Sequence, residues 1–463
     1  MTKPLHRPLS DWTFKQDDKL ELTKFADDLQ RYLEVDHHFV TGSLVVGLDA
    51  PFGSGKSSFL SMWANLLREK HETDPTSPLP ILINAWEDDF CGEPLLSLVA
   101  SFSKALEDEE GTSATIGKRI RKAARQVFWF GVGLANSIVR AKTGADPVAA
   151  GKLAQEKTED QSTEPNADLF SLFHCRQDAL RSLKQELASA IESESVNMFV
   201  IVDELDRCRP DYAITFLETL KHIFDIHGLI VVLAIDRGQI ENSARALFGQ
   251  GLNADEYLRK FISRSFKLPT LRESQVENFL PSLLEKFAAL EQVRRTSIRD
   301  QIQEQRLARL ITALGLKMRQ IEELFRVVGH VFSNSEDTDR ELGTATIHAV
   351  LFLYAVKLWD SQMYQKITHA GMEIQELCKW LVGLELSNTD REFWGTLCYV
   401  GGLRRPREQS LSMTMSKFGI VSSPSNQAQS ALEDRIGREW GFPEKNYLMA
   451  MYQLIEEAST LFR

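Results

Sequence analysis

Apolar positions along the first half of the chain change period in an alternating order. Leu22, Phe25, Ala26, Leu29 and Leu33 recur at steps of three and four residues, which predicts an amphipathic helix bracing the core that follows. Ser43 to Leu48, SLVVGL, is a short β-branched and apolar run. It leads through a glycine-containing loop into a helix over SSFLSMWANLLREK, and PILINAW at Pro80 to Trp86 reads as a second strand. A helix from about Leu172 to Glu192 precedes MFVIVDELDRC, where five apolar residues run straight into two acids. Unbroken apolarity of this kind suits a strand buried on both sheet faces, as in parallel α/β proteins. A helix near Asp211 to Ile226, the strongly apolar LIVVLAID at Leu229 to Asp236, and a further helix complete a strand, helix, strand, helix order. The predicted fold is therefore α/β, with a doubly wound parallel sheet.

Two regions depart from that order. From about Glu107 to Ser171 the chain carries KRIRKAAR, a short apolar run at Gln126 to Val139, and a polar stretch rich in small residues. These features predict an insertion ending in a flexible linker. Beyond Pro269, segments such as VENFLPSLLEKFAAL, IEELFRVVGHVF and IHAVLFLYAVKLW show helical periodicity with few strand signals, and Ser422 to Asn426 reads as a loop. The expected division is an N-terminal brace and first core part over 1-106, an insertion over 107-171, a second core part over 172-271, and a helical C-terminal region over 272-463.

Composition narrows the class without naming a task. A chain of 463 residues holds two or three domains at roughly 100 to 200 residues each. Its 43% hydrophobic and 26% charged residues are ordinary for a folded protein in water. The net charge of -11 argues against nonspecific coating of nucleic acid as the main role, although a local basic stripe such as Lys118 to Arg125 would still meet phosphate backbones. Cys91, Cys175, Cys208, Cys378 and Cys398 are far apart and form no zinc or redox spacing, which fits a reducing cytoplasmic compartment. MTKPLHRPLSDW holds no apolar core of the length a secretory signal needs, so export is not expected, and the apolar run falls short of the about 20 residues needed to span a bilayer.

The chemistry concentrates at two strand ends. Ala50, Pro51, Phe52, Gly53, Ser54, Gly55, Lys56 and Ser57 follow the template G-x-x-x-x-G-K-[ST], with alanine in place of the first glycine. In such a loop main-chain N–H groups face an anion and the next helix adds its positive end, so Pro51 to Ser58 form the candidate phosphate cradle. Lys56 would reach the terminal phosphates and the Ser57 hydroxyl would ligate magnesium. The competing reading is a glycine-rich turn that merely caps a helix. A left-handed backbone at the first position would also penalise alanine.

Asp203 and Glu204 end the strand FVIVD. One carboxylate is suited to holding Mg2+ and its neighbour to orienting or deprotonating an attacking water; a helix cap with a first-turn acid is the alternative. Arg207, Arg209, Arg237, Arg264 and Arg319 are candidates for stabilising transferred charge, each equally suited to a surface or inter-helix ion pair. Asp236, at the end of the third strongly apolar strand, is either a sensor of the terminal phosphate or attacking water, or a cap for the next helix.

Four separated segments, APFGSGKSSFL, INAWEDDFCGEPLLSLV, FVIVDELDRCRPD and VVLAIDRGQIENSARALFG, together resemble the KAP family of P-loop NTPases. The likeness covers roughly Asp17 to Leu271, and the pairing of NAW with DELDRC is more specific than the phosphate loop. In the C-terminal half, GLKMRQIEELFR alone resembles the arginine-bearing helix of AAA+-like relatives. The resemblance implies hydrolysis of ATP or GTP with magnesium, ATP being favoured. It also implies catalytic roles for Lys56, Asp203, Glu204 and Arg207, and a second-sensor role for Arg319.

Many members carry membrane helices at the place of the 107-171 insertion. Here only peripheral contact through Lys118 to Arg125 and Phe128 to Phe130 is expected. The family also implies protein partners or a homo-oligomer, and a plausible role in antiviral defence through phage-exclusion relatives. The expected function is an ATP-driven switch. A nucleotide-binding scaffold and a DNA-directed ATPase are the alternatives.

Overall fold

Among the described residues five parallel strands build one sheet: β1 (Leu44–Asp49), β2 (Leu79–Asn84), β3 (Met198–Asp203), β4 (Leu229–Ile235) and β5 (Arg264–Lys267), in the order β2-β3-β4-β1-β5. In this computed structural model the described residues are 8–107, 118, 120, 122, 169–194, 197–288, 303–333, 344–369, 371–402, 411–422, 427, 430, 431, 433, 434 and 447–460. The expected basic segment, apolar run and linker of the 107-171 region lie almost wholly outside the described residues, as does most of the Ser422 to Asn426 loop.

Every residue of β3 and β4 is buried, which is what their unbroken apolar runs require of strands covered on both faces. Helices flank them: α1 (Thr23–His37), α2 (Lys56–Thr73), α3 (Pro94–Glu107), α4 (Leu169–Glu194), α5 (Pro210–Ile223) and α6 (Arg237–Phe248). The N-terminal helix braces the core as its spacing predicts, with Ala26, Leu29 and Leu33 buried. Its Phe25 ring meets Phe59 of α2 at 5.5 Å; Phe59 stacks on Trp63 at 5.8 Å, and Trp63 meets Phe199 of β3 edge-on at 5.9 Å. This aromatic ladder ties the brace, the helix after the glycine loop and the central strand into one packed layer.

Two details differ from the sequence reading. The second strand stops at Asn84 and not at Trp86, because the Asn84 side chain accepts a hydrogen bond from Trp86 N and so starts a short helix at Ala85. Periodicity gave no sign of β5: Arg264, Ser265, Phe266 and Lys267 hold a single apolar residue, and the segment is a strand through pairing at the sheet edge beside β1.

Chain contacts divide the protein into two compact units: Met1–Asp18, Leu22–Phe52 and Lys56–Leu268 against Lys19–Glu21, Gly53–Gly55 and Pro269–Arg463. Beyond Pro269 the described elements are helices, as expected. The helix Thr344–Trp359 is apolar on all sides because Ile347, Val350, Leu351, Phe352 and Leu353 are all buried at its centre. Asp390, fully buried, is held there by Arg306 at 3.1 Å and Arg309 at 2.6 Å, so its charge is neutralised inside the helical core. Among the described residues no helix is long and apolar enough to cross a membrane.

At the far end of the sheet from the glycine loop, His37 is buried and its Nε2 accepts a hydrogen bond from Gly228 N at 2.9 Å, which requires a neutral ring. Burial, and then the charges of His227 and His38, lower its pKa from 6.5 to about 4. Below pH 6.5 the unfolded chain binds a proton that the fold refuses, so stability present at neutral pH is lost as pH falls towards 4. Denaturant titrations at pH 7.5 and 4.5 should show His37→Gln, whose Oε1 can still accept from Gly228, sparing about 2–3 kcal/mol of the acid-induced loss seen in the parent chain.

Candidate functional site

Register brings the polar residues together. β1 and β4 pair with Asp49 beside Ile235, β2 and β3 with Asn84 beside Asp203, and β3 and β4 with Val202 beside Leu233. Four strands therefore end at one edge, delivering Asp49, Asn84, Asp203 and Asp236 within the first unit. This is the carboxyl edge, where open α/β sheets bind ligands.

The loop after β1 has the backbone that the glycine template demands. Gly53 has φ +79° and Gly55 φ +93°, both in the left-handed region that side chains resist. Ala50 has no such conformation: its N–H donates to Ile235 O at 3.1 Å, so it prolongs the β1–β4 ladder. Alanine at the first template position is therefore without strain, and the penalty considered from sequence does not arise. α2 opens at Lys56 itself. The Lys56 ammonium donates to Ala50 O at 2.7 Å and to Asp206 Oδ2 at 2.9 Å. Ser54 Oγ is buried with no hydrogen-bond partner among the described residues. An orphaned hydroxyl, two left-handed glycines and a buried ammonium fit a phosphate group.

Asp203, also buried, accepts from the Ser57 hydroxyl and, at 2.9 Å, from Glu204 N. Burial pushes its carboxyl up and the nearby Asp206 charge adds to this, against the Ser57 and Glu204 hydrogen bonds and the Lys56 cation. Hydroxyl and carboxylate in hydrogen-bond contact form the pair of oxygen donors that suits a hard divalent cation, with phosphate and water able to complete its shell. Asp203 is thus not a free helix cap.

Glu204 sits at φ 61°, a left-handed conformation rare outside glycine and asparagine that turns its side chain out of the strand direction. It makes no capping hydrogen bond and pairs with Arg207 at 2.9 Å. Burial first, then Asp203 and Asp206, raise its carboxyl above the usual range, opposed by Arg207 and a hydrogen bond from Asn84.

The guanidinium of Arg207 lies 4.7 Å from the Phe52 ring centre and 5.9 Å from that of Trp86, so one cation spans the phosphate loop and the β2 segment. The other arginines are engaged elsewhere. Arg209 binds Asp89 through its backbone N–H, Nε and, to the carbonyl, Nη2. Arg237 is spread over Glu241, Ser265 and Asp255, and Arg264 pairs with Asp36 at 2.9 Å. For these three the ion-pair alternative describes the structure. Arg319 is the second residue of the helix Met318–Ser333, in the second unit. Asp236 caps α6 by accepting from Gly238 N at 3.1 Å, while its own N–H donates to Asp206 at 2.8 Å.

Sequence reasoning gave no role to Asp206, Asn84, Trp86 or Asp89, although each stands in a quoted motif. Their contacts join the segment Asn84 to Asp89 to the segment Asp203 to Arg209: Asn84 touches Glu204, Trp86 flanks Arg207, and Asp89 holds Arg209. A polar residue ending a buried strand beside the strand of Asp203 was the available signal for Asn84.

The sequence profile of the KAP family P-loop domain matches residues 23–333. No protein of curated function matches the chain. Among solved structures, the Aeropyrum pernix ORC2 protein in its ADPNP–ADP complexes aligns over 95% of both chains at 13% identity and a TM-score of 0.31. The Aeropyrum pernix ORC1 protein in complex with DNA aligns over 93% of this chain and 95% of its own at 11% identity and a TM-score of 0.33.

In the Asp89–Arg209 strut the carboxylate is buried and the guanidinium more than half exposed, so Arg209→Ala leaves Asp89 short of donors, whereas Asp89→Ala leaves Arg209 in water. Arg209→Ala should therefore lower the midpoint of urea titrations, and adding Asp89→Ala should cost much less than the sum of the two single changes.

Proposed function

Because the chain belongs to the KAP family of P-loop NTPases, we propose that it binds ATP with Mg2+ at the loop Pro51 to Ser58 and hydrolyses it to drive a conformational switch or an assembly step. The observation that carries this reading is the convergence of Lys56, Ser57 and Asp203 at one sheet edge beside a left-handed glycine loop. In this proposal the loop amides and Lys56 bind the phosphate tail, and Ser57 with Asp203 holds the cation, which when bound would neutralise charge on the phosphates. Glu204 orients the attacking water and accepts its proton, and preorganised donors around it stabilise the charge that develops.

Arg207 stands next to Glu204 and is the proposed cis arginine. Asp236 is proposed to sense the terminal phosphate through the Asp206 contact, and Arg319 to act as second sensor. Residues 107-171 are proposed as an insertion within a nucleotide-binding core of 1-106 and 172-271, with 272-463 as the helical region that recruits protein partners or further copies. The proposed setting is the cytoplasm, with anti-phage defence as the biological context suggested by the family resemblance. Peripheral membrane contact through the insertion and DNA-directed activity stay as lesser proposals.

One observation favours a second reading, a scaffold that binds nucleotide and hardly turns it over: Glu204 is engaged by both Arg207 and Asn84. A carboxylate so held needs to be released before it meets a water.

Two substitutions test the main reading. Lys56→Ala should weaken ATP binding about 10- to 100-fold, the loss of one charge-assisted contact, as read by calorimetry. Glu204→Gln should keep ATP binding within a few-fold while phosphate release falls on the order of 10²–10⁴, the usual contribution of a positioned base. A scaffold would retain its cellular function in Glu204→Gln, whereas a hydrolysing switch would lose it.

A further inference from the structure

We infer that Asp206 is a positioning residue that competes with bound nucleotide for the Lys56 ammonium, so that the ion pair is the resting state from which nucleotide binding starts and to which the site returns on release. The inference rests on the reading that Lys56 meets phosphate, and it gives Asp206 a role towards Lys56 that the reading did not include.

The geometry is specific. Lys56 and Asp206 side chains are 9% and 7% exposed, and their 2.9 Å contact is shielded from water, where a charge pair is strongly attractive and an unpaired charge is costly. An ammonium has three donors. Two of the three are committed here, to Asp206 Oδ2 and to Ala50 O. Asp206 cannot simply follow the lysine towards a ligand, because the same Oδ2 accepts Asp236 N–H at 2.8 Å and is thereby tied to the end of β4.

An arriving phosphate group must therefore win the ammonium from a fixed carboxylate or share it. Once the anion leaves, that carboxylate recaptures Lys56. A cation held by Ser57 and Asp203 would offset the added negative charge, so the competition should be sharpest for nucleotide without metal.

Asp206→Asn isolates the charge. The amide oxygen of asparagine can still accept from Asp236 N–H and Lys56, but it lacks the carboxylate charge and so the Coulombic attraction that holds the ammonium. The probe is ADP in excess EDTA, titrated by calorimetry into the full-length chain, with thermal unfolding to confirm that each variant is folded. Asp206→Asn should tighten ADP about tenfold, and in a Lys56→Met background the same change should alter affinity less than twofold.

Unchanged or weaker binding in folded Asp206→Asn overturns the inference. Equal tightening with and without Lys56 also overturns it, since Asp206 would then act as a diffuse negative charge and not through the lysine. Should Asp206→Asn fail to fold, Asp206→Ser keeps a smaller neutral acceptor and carries the same expectations. The supporting reading fails separately: if Lys56→Met binds ADP as tightly as the parent chain, Lys56 is no phosphate ligand and the competition falls with it. If Lys56→Met loses binding while Asp206→Asn changes nothing, only the role of Asp206 is lost.

Discussion

Parallel pairing in register is the constraint on which the candidate site depends. Parallel strands run in one direction, so their carboxyl ends collect at one edge, and here β1, β2, β3 and β4 end nearly level. A shift of one residue in β3 would turn Asp203 to the opposite face and carry the Ser57 contact away with it. The register is maintained by the buried sides of β3 and β4, where every side chain is packed. The hydrophobic core thus positions the polar site: aliphatic residues that touch no ligand decide where the carboxylates stand.

Around that edge a small charge network replaces solvent. Lys56 is held by Asp206 and Ala50, Asp206 by Asp236 N–H, Asp203 by Ser57 and Glu204 N–H, and Glu204 by Arg207 and Asn84. Each acid has a donor, which is the condition for keeping several carboxylates this close together in a partly dry environment. The network draws on four separate stretches of chain, and Arg207 adds a non-covalent link between two of them by facing both Phe52 and Trp86. The left-handed backbone of Glu204 belongs to the same arrangement, because it ends β3 abruptly and presents Glu204 to Asn84 and Arg207.

Several features were legible in the residues alone. The apolar runs of β1, β3 and β4 are long and unbroken because both sheet faces are covered, and that burial is written directly into composition. The phosphate loop is legible for a related reason: left-handed backbone at Gly53 and Gly55 and a cationic side chain at Lys56 are demands that few residue types meet. The brace helix announced itself through the spacing of Ala26, Leu29 and Leu33. Membership of the KAP family follows from the same segments.

What the chain order could not express is pairing across space. Nothing local distinguishes Asp206 from an exposed acid in a turn, and it becomes part of the site only because folding sets it against Lys56, 150 positions earlier. The engagement of Arg209, Arg237 and Arg264 in ion pairs was equally hidden, since one arginine looks like another until its partner is in place. β5 formed on a segment with no strand pattern, because the free edge of β1 supplied the hydrogen bonds that its own side chains did not call for. Local backbone preference and burial period reside in consecutive residues and were set by the sequence itself. Charge partnership and edge pairing depend on which distant segments meet, and only the tertiary structure decided those.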